Sequence, residues 1–248
     1  MPARVQSQPA YSTFIPLRRA FPRAAANALP TLRDYYDTMF AALGPQHWWP
    51  GRTAFEIIVG AILTQNTSWS NVELAIRNLR RDNLLTPRAI EAVPLARLAT
   101  LIRSSGYFRQ KAKKLKAFVG FLRKEHKGSL VKMCRIPTAI LRKQLLGVHG
   151  IGPETADSIL LYAGRHPVFV VDAYARRMLE RHHLAEPKHS YEDVRQFFER
   201  SLPADVPLYN EFHALIVRTG KDYCRASKPR CEECPLLRFL PDRMPAAS

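Results

Sequence analysis

Three short segments hold the residues best suited to chemistry. The first is Leu146-Gly147-Val148-His149-Gly150-Ile151-Gly152-Pro153-Glu154-Thr155-Ala156. Here two glycines flank an isoleucine between two helical stretches. Glycine lets the chain turn tightly and lets another backbone approach with no Cβ in the way, and Pro153 suits the first turn of a helix. Such a turn offers free backbone N–H groups at the positive end of a helix dipole, a phosphate site that needs no side chain. The second segment is the β-branched run Val168 to Val171, ending in Asp172, which is placed to cap a helix from Ala173. The third is Cys224-x6-Cys231-x2-Cys234, which holds three of the four cysteines. Four are too few for a disulfide scaffold, and their crowding points to a metal site in a reducing compartment.

The pattern around these segments is helical. Helices are expected over Thr31–Leu43, Thr53–Gln65 and Trp69–Leu79, the last with Leu74 and Leu79 as core positions. Two short helices fit between Pro87 and Ser104, and a long basic one, Tyr107–Lys124, follows Gly106. Further helices run to Leu146, over Pro153–Ala163, from Ala173, from Tyr191 and over Pro207–Lys221. No strand pattern repeats, so the fold class is all-α.

The 38 Lys+Arg against 21 Asp+Glu give a formal charge of +17, which favours a polyanionic partner. Charge alone leaves nucleic acid, membrane surfaces and acidic proteins open. The run Lys111, Lys113, Lys114, Lys116 reads in isolation as a solvated face. No apolar run is long enough to span a bilayer. Residues 1–29 read as a flexible basic tail, and a cytoplasmic, nucleoid-associated monomer is expected.

The order hairpin, helix, Val170-Val171-Asp172, helix resembles the endonuclease III superfamily of helix-hairpin-helix (HhH-GPD) DNA glycosylases, over roughly residues 30 to 240. Three further segments agree in order: Ile62-Leu63-Thr64-Gln65-Asn66-Thr67, Gly106-Tyr107-Phe108-Arg109-Gln110-Lys111-Ala112 and the cysteine loop. The resemblance implies a two-lobed fold. Residues 52–166 would form a six-helix module, and residues 30–51 plus 167–248 a second lobe, with an extruded base between them. It implies double-stranded DNA containing a damaged base as partner. Asp172 would then stabilise the oxocarbenium-like sugar and direct water. Glu154 stands where bifunctional members carry a lysine nucleophile, so base removal without strand cleavage is expected.

Within this superfamily, His47-Trp48-Trp49-Pro50, Trp69 and Gly-Ile-Gly-x-Glu resemble the 3-methyladenine glycosylase branch. The resemblance makes Trp48, Trp49, Pro50, Trp69 and Lys221 the base pocket, where stacking and cation–π attraction would select an alkylated purine. A mismatch or oxidised-base glycosylase is the alternative, and a non-catalytic DNA-binding scaffold a more distant one. Gln65 and Tyr107 would fill and wedge the base stack, Gly150 and Gly152 would hold phosphates, and Arg109, Lys111 and Lys113 would attract the backbone. The cysteine loop resembles a 4Fe-4S loop of pattern C-x6-C-x2-C-x5-C, but Leu240 occupies the fourth position. A cluster with a non-cysteine ligand, a three-iron cluster, zinc and no metal all remain open. Arg225, Lys228 and Arg230 of this loop would touch phosphates.

Overall fold

A computed structural model describes residues 30–48 and 51–241. Trp49 and Pro50 therefore lie outside the described residues. The α-helices are α1 Leu32–Leu43, α2 Ala54–Leu63, α3 Trp69–Arg81, α4 Pro87–Ala92, α5 Leu95–Leu101, α6 Phe108–His126, α7 Leu130–Cys134, α8 Thr138–Leu146, α9 Pro153–Ser158, α10 Ala173–Arg181, α11 Tyr191–Ser201 and α12 Val206–Asp222. A π-helical turn, Ile159–Ala163, continues α9. Among the described residues there is no strand. Residues 52–166 hold eight α-helices, α2 to α9, where six were expected; α4 and α7 are only six and five residues long.

Short polar side chains fix where helices begin. Thr31 and Asp34 form a reciprocal capping box at α1, as Ser190 and Asp193 do at α11. Thr53 caps α2 and Asp205 caps α12. No helix is long and apolar enough to cross a membrane among the described residues.

Two hydrophobic clusters organise the chain. The first gathers Ile58, Ile62, Leu79, Leu98, Phe118 and Leu145 from α2 to α8. The second gathers Tyr35 and Met39 of α1 with Phe169, Leu179, Phe198, Phe212 and Leu215. Phe169 stacks on Phe198 at 3.8 Å and meets the edges of Tyr209 and Phe212. The chain passes between the clusters at the π-helical turn: Ile159 and Leu160 pack into the first, Leu161 and Tyr162 into the second. The run Val168–Val171 is buried and belongs to no helix or strand. Side chains take its backbone donors instead: Phe169 N–H donates to Glu199 (3.0 Å) and Val171 N–H to the Tyr191 hydroxyl (3.3 Å).

Two expectations need correction. Leu74 is exposed, because the apolar face of α3 is set by Val72, Ala75, Ile76 and Leu79. Lys111 is no phosphate contact: it is 2% exposed, and its ammonium donates to the carbonyls of Leu63 (2.9 Å) and Ser105 (2.6 Å). It thereby caps the carboxyl end of α2, where a cation complements the helix dipole. Burial, then the charge of Lys114, pushes its pKa down to about 8. Lys116 does the same for α4, donating to the carbonyls of Glu91 and Val93. By contrast Arg109 and Lys113 are exposed.

Lys111→Ala is expected to cost about 2–4 kcal/mol, since it leaves two buried carbonyls unpaired and opens a cavity. It should not alter the salt dependence of duplex binding beyond that loss of folded protein. Lys113→Ala should leave the melting temperature unchanged and lower the salt slope by about one. Thermal melts and salt titrations check the pair.

Candidate active site

The hairpin between α8 and α9 is built as its sequence requires. Gly150 has φ +80°, and a Cβ there would lie 2.4 Å from Cγ of Lys114. Only glycine suits that position without strain. Gly152 differs: a Cβ there would meet nothing within 4 Å. Its open side faces outward, where an approaching phosphate backbone would need the room. Ile151 is buried and anchors the turn in the first cluster.

Gln65, from the turn after α2, is tied to this hairpin. Its side-chain amide donates to the Gly150 carbonyl (3.2 Å) and the Thr155 hydroxyl (2.8 Å), while its Oε1 accepts from Lys114. Behind the hairpin, Arg142 of α8 grips Asp157 of α9 through two hydrogen bonds, 2.6 and 3.0 Å, and reaches Glu192 of α11. Helices α8, α9 and α11 are thus locked together.

Asp172 caps α10, its Oδ1 accepting from the Ala175 N–H at 2.8 Å. Its other oxygen, Oδ2, lies 3.4 Å from Nε2 of His213 in α12, an ion-pair distance rather than an aligned hydrogen bond. Nδ1 of His213 is 2.6 Å from the hydroxyl of Tyr162 in the π-helical turn. Burial holds the Tyr162 phenol well above its usual range, with the charges of Asp172 and Glu154 adding to the effect. The phenol therefore keeps its proton, and Nε2, the other ring nitrogen of His213, faces Asp172. His213 and Tyr162 went unmarked in the sequence. A histidine among apolar helix positions looks like core, and neither residue lies near Asp172 along the chain.

The two carboxylates of the site are driven apart. Burial alone would raise Asp172, but His213 and the N–H groups of Ala175 and Tyr174 outweigh it and hold its pKa below the usual value. Glu154 is accessible from solvent, yet protein around it and the charge of Asp172 raise its pKa, against a smaller opposing effect of His213. One ionised and one proton-prone carboxyl side by side is a division suited to acid–base work.

The aromatic candidates fall on both clusters. Trp48 packs on the second, with the Lys221 ammonium 5.9 Å from its ring centre. Trp69 packs on the first and donates to Glu73 at 2.9 Å. Tyr107 is 68% exposed, with left-handed φ of 42°, and caps α6 rather than opening it. A large exposed aromatic in a strained backbone position, beside exposed Arg109, is more than packing requires.

The cysteine loop borders a small cavity of about 20 Å³ lined by Cys224, Cys231, Cys234, Leu240, His182 and Arg181, among others. Arg181 donates to the Cys224 sulfur at 3.3 Å and to the carbonyls of Arg225 and Ala226. Burial raises the Cys231 thiol, and raises Cys234 to about 11. Cys134 packs elsewhere, on the first cluster. A four-thiolate iron–sulfur cluster does not fit this donor set, because the fourth corner carries Leu240. Among the described residues no three His, Cys, Asp or Glu side chains are arranged to hold a single metal ion. Arg225 and Lys228 of the loop are exposed, while Arg230 pairs with Glu233.

A glycine hairpin one short helix and one π-helical turn ahead of a mostly buried carboxylate held below its usual pKa is the arrangement of a helix-hairpin-helix fold. Residues 59–204 match the family model of the HhH-GPD superfamily of base excision DNA repair proteins, and the chain belongs to that superfamily of DNA glycosylases. It is 46% identical, over 84% of its length and 91% of the relative's, to a Methanocaldococcus jannaschii protein provisionally described as a DNA repair glycosylase. It is 27% identical to endonuclease III of Thermotoga maritima, over 73% of the chain and 79% of the relative. Among solved structures, a non-covalent endonuclease III–DNA complex superposes with TM-score 0.73 at 25% identity, covering 84% of this chain and 93% of that one. A Helicobacter pylori 3-methyladenine DNA glycosylase bound to 1,N6-ethenoadenine gives TM-score 0.67 at 29% identity, covering 76% and 96%.

A carboxyl whose pKa is raised on folding disfavours the folded state once it ionises. Glu154→Gln is therefore expected to raise the melting temperature at neutral pH. The gain should shrink as pH falls and vanish below 4.5, the unperturbed value, where Glu154 is protonated folded and unfolded alike. Melting curves of both proteins from pH 4 to 7.5 check the sign.

Proposed function

We propose that the protein hydrolyses the N-glycosidic bond of an alkylated, 3-methyladenine-like base flipped from duplex DNA and leaves the strand uncut. The observation that carries this reading is the carboxylate pair: Asp172 held ionised by His213 and the amino end of α10, with Glu154 where a lysine would be needed to form an imine. Departure of the base leaves positive charge on the sugar. An ionised Asp172 in a water-poor site stabilises that charge and orients the attacking water. Glu154, more prone to hold a proton, accepts or donates one toward the base or its water.

An alkylated purine already carries positive charge, so it needs little acid catalysis and gains from an aromatic face. Support for this substrate comes from Trp48, which already faces a cation, the ammonium of Lys221, and from the 3-methyladenine glycosylase noted above. In this reading Trp69, from the other cluster, supplies a second aromatic face. Gly150 and Gly152 receive a phosphate, Tyr107 wedges the stack, and Gln65 leaves its hairpin bonds to fill the gap or braces the hairpin from behind. Arg109 and Lys113 supply attraction to the backbone. Residues 30–51 with 167–248 and residues 52–166 act as two lobes of a monomer.

The test is a panel of duplexes with single defined lesions, with base release assayed apart from strand nicking. Methylated adenine should be released, and the strand should break only when an abasic-site nuclease is added. Excision confined to mismatched thymine or oxidised pyrimidines would refute the substrate. Asp172→Asn keeps the helix cap yet should slow single-turnover release by roughly 10²–10⁴-fold. His213→Gln should slow release less than Asp172→Asn does, with DNA affinity unchanged.

A further inference from the structure

One buried ammonium sits between two turns that reach the surface. Leu63 ends α2, and Ser105 ends a 3₁₀ turn, Arg103–Ser105. Lys111 donates to both carbonyls, at 2.9 and 2.6 Å. Two residues beyond Leu63 stands half-buried Gln65, and two beyond Ser105 stands exposed Tyr107. Both turns carry a non-glycine residue in left-handed backbone, Asn66 with φ 53° and Tyr107 with φ 42°. Such conformations persist where the surroundings fix them. Asn71 of α3 makes a second tie between the same turns. Its amide donates to the Thr67 hydroxyl (3.2 Å), and its carbonyl accepts from Ser104 (2.9 Å). One helical turn on from Lys111, Lys114 donates to Gln65 Oε1 and passes close to Gly150.

We propose that Lys111 is a positioning residue that sets the spacing between the Gln65 turn and the Tyr107 turn, so that both engage an opened base pair together. This role rests on the reading that these two turns meet the base stack, and it gives Lys111 no contact with DNA. The chemistry suits a lysine. An ammonium carries three donors on a compact head, so it can serve two carbonyls that arrive from different helices. Methionine would fill similar space but leave both carbonyls without this donor. The first cluster would still pack the helices, while the tips of the turns would lose the link that holds them at one separation. Lys114 extends the link to the hairpin through Gln65, whose amide bonds Gly150 and Thr155. Helix α6 is thus the common support of three loops.

The probe is a duplex with a stable abasic analogue opposite 2-aminopurine, a base whose fluorescence reports its stacking. It needs no base excision, so it reads insertion of the turns whatever lesion is preferred. All proteins are compared at saturation, where loss of folded molecules does not enter. Wild-type protein should change the fluorescence; Tyr107→Ala should lose most of that change and Gln65→Ala part of it. Lys111→Met should lose as much as Tyr107→Ala with an unchanged salt slope, and the double variant should lose no more than either alone. Should Lys111→Met not fold, Lys111→Arg decides, since a longer, planar head must respace the turns. A reduced fluorescence change is expected of it. A wild-type fluorescence change in the folded Lys111 variant, beside a loss in Tyr107→Ala, would overturn the role of Lys111 and leave the wedge in place. A wild-type change in Tyr107→Ala and Gln65→Ala, or no change on binding of wild-type protein, would overturn the wedge reading and the role of Lys111 with it.

Discussion

A mostly buried ionised carboxylate is costly unless its charge is met by fixed donors, and the molecule is arranged to meet that cost at Asp172. The donors come from far apart: backbone N–H groups from the first turn of α10, and an imidazole from α12 that is itself braced by a phenol from the π-helical turn. Each requires the second cluster to be assembled. The hairpin requires the first. The short link between the clusters, from Ile159 to Asp172, therefore decides how far the hairpin lies from the carboxylate. A π-helical turn there, with successive residues packed to opposite sides, is consistent with such turns marking functional places in helices.

The charge of the chain is divided in the same spirit. Part of the basic surplus never reaches a partner. Lys111 and Lys116 cap helix ends, Arg142 locks α8 to α9, and Arg181 clamps the cysteine loop. These cations act at short range inside the protein and stabilise it. Arg109, Lys113, Arg225 and Lys228 instead stand exposed, where salt screens their charge. Glu154 works against stability, since its raised pKa is a strain on the folded state; active sites commonly trade stability for function in this way.

Local grammar was readable in the sequence. Gly150 and Gly152 mark the hairpin because backbone conformation is a local demand, and Asp172 marks a helix start because capping is too. The three cysteines stood out as one group by their spacing, and they line one cavity. What depends on tertiary contact was hidden. Lys111 looks like any member of a basic run until the end of α2 is packed against α6. His213 and Tyr162 become partners of Asp172 only once α12 and the π-helical turn meet α10.

The proposed reaction runs through a carboxylate and water, with no amine bonded to the sugar. Incubation with lesion-bearing duplex in the presence of sodium borohydride tests it most directly, because reduction traps any imine as a permanent protein–DNA adduct. The expected result is base release at an undiminished rate with no adduct on a denaturing gel. A trapped adduct, at Lys221 or any other lysine, would contradict it.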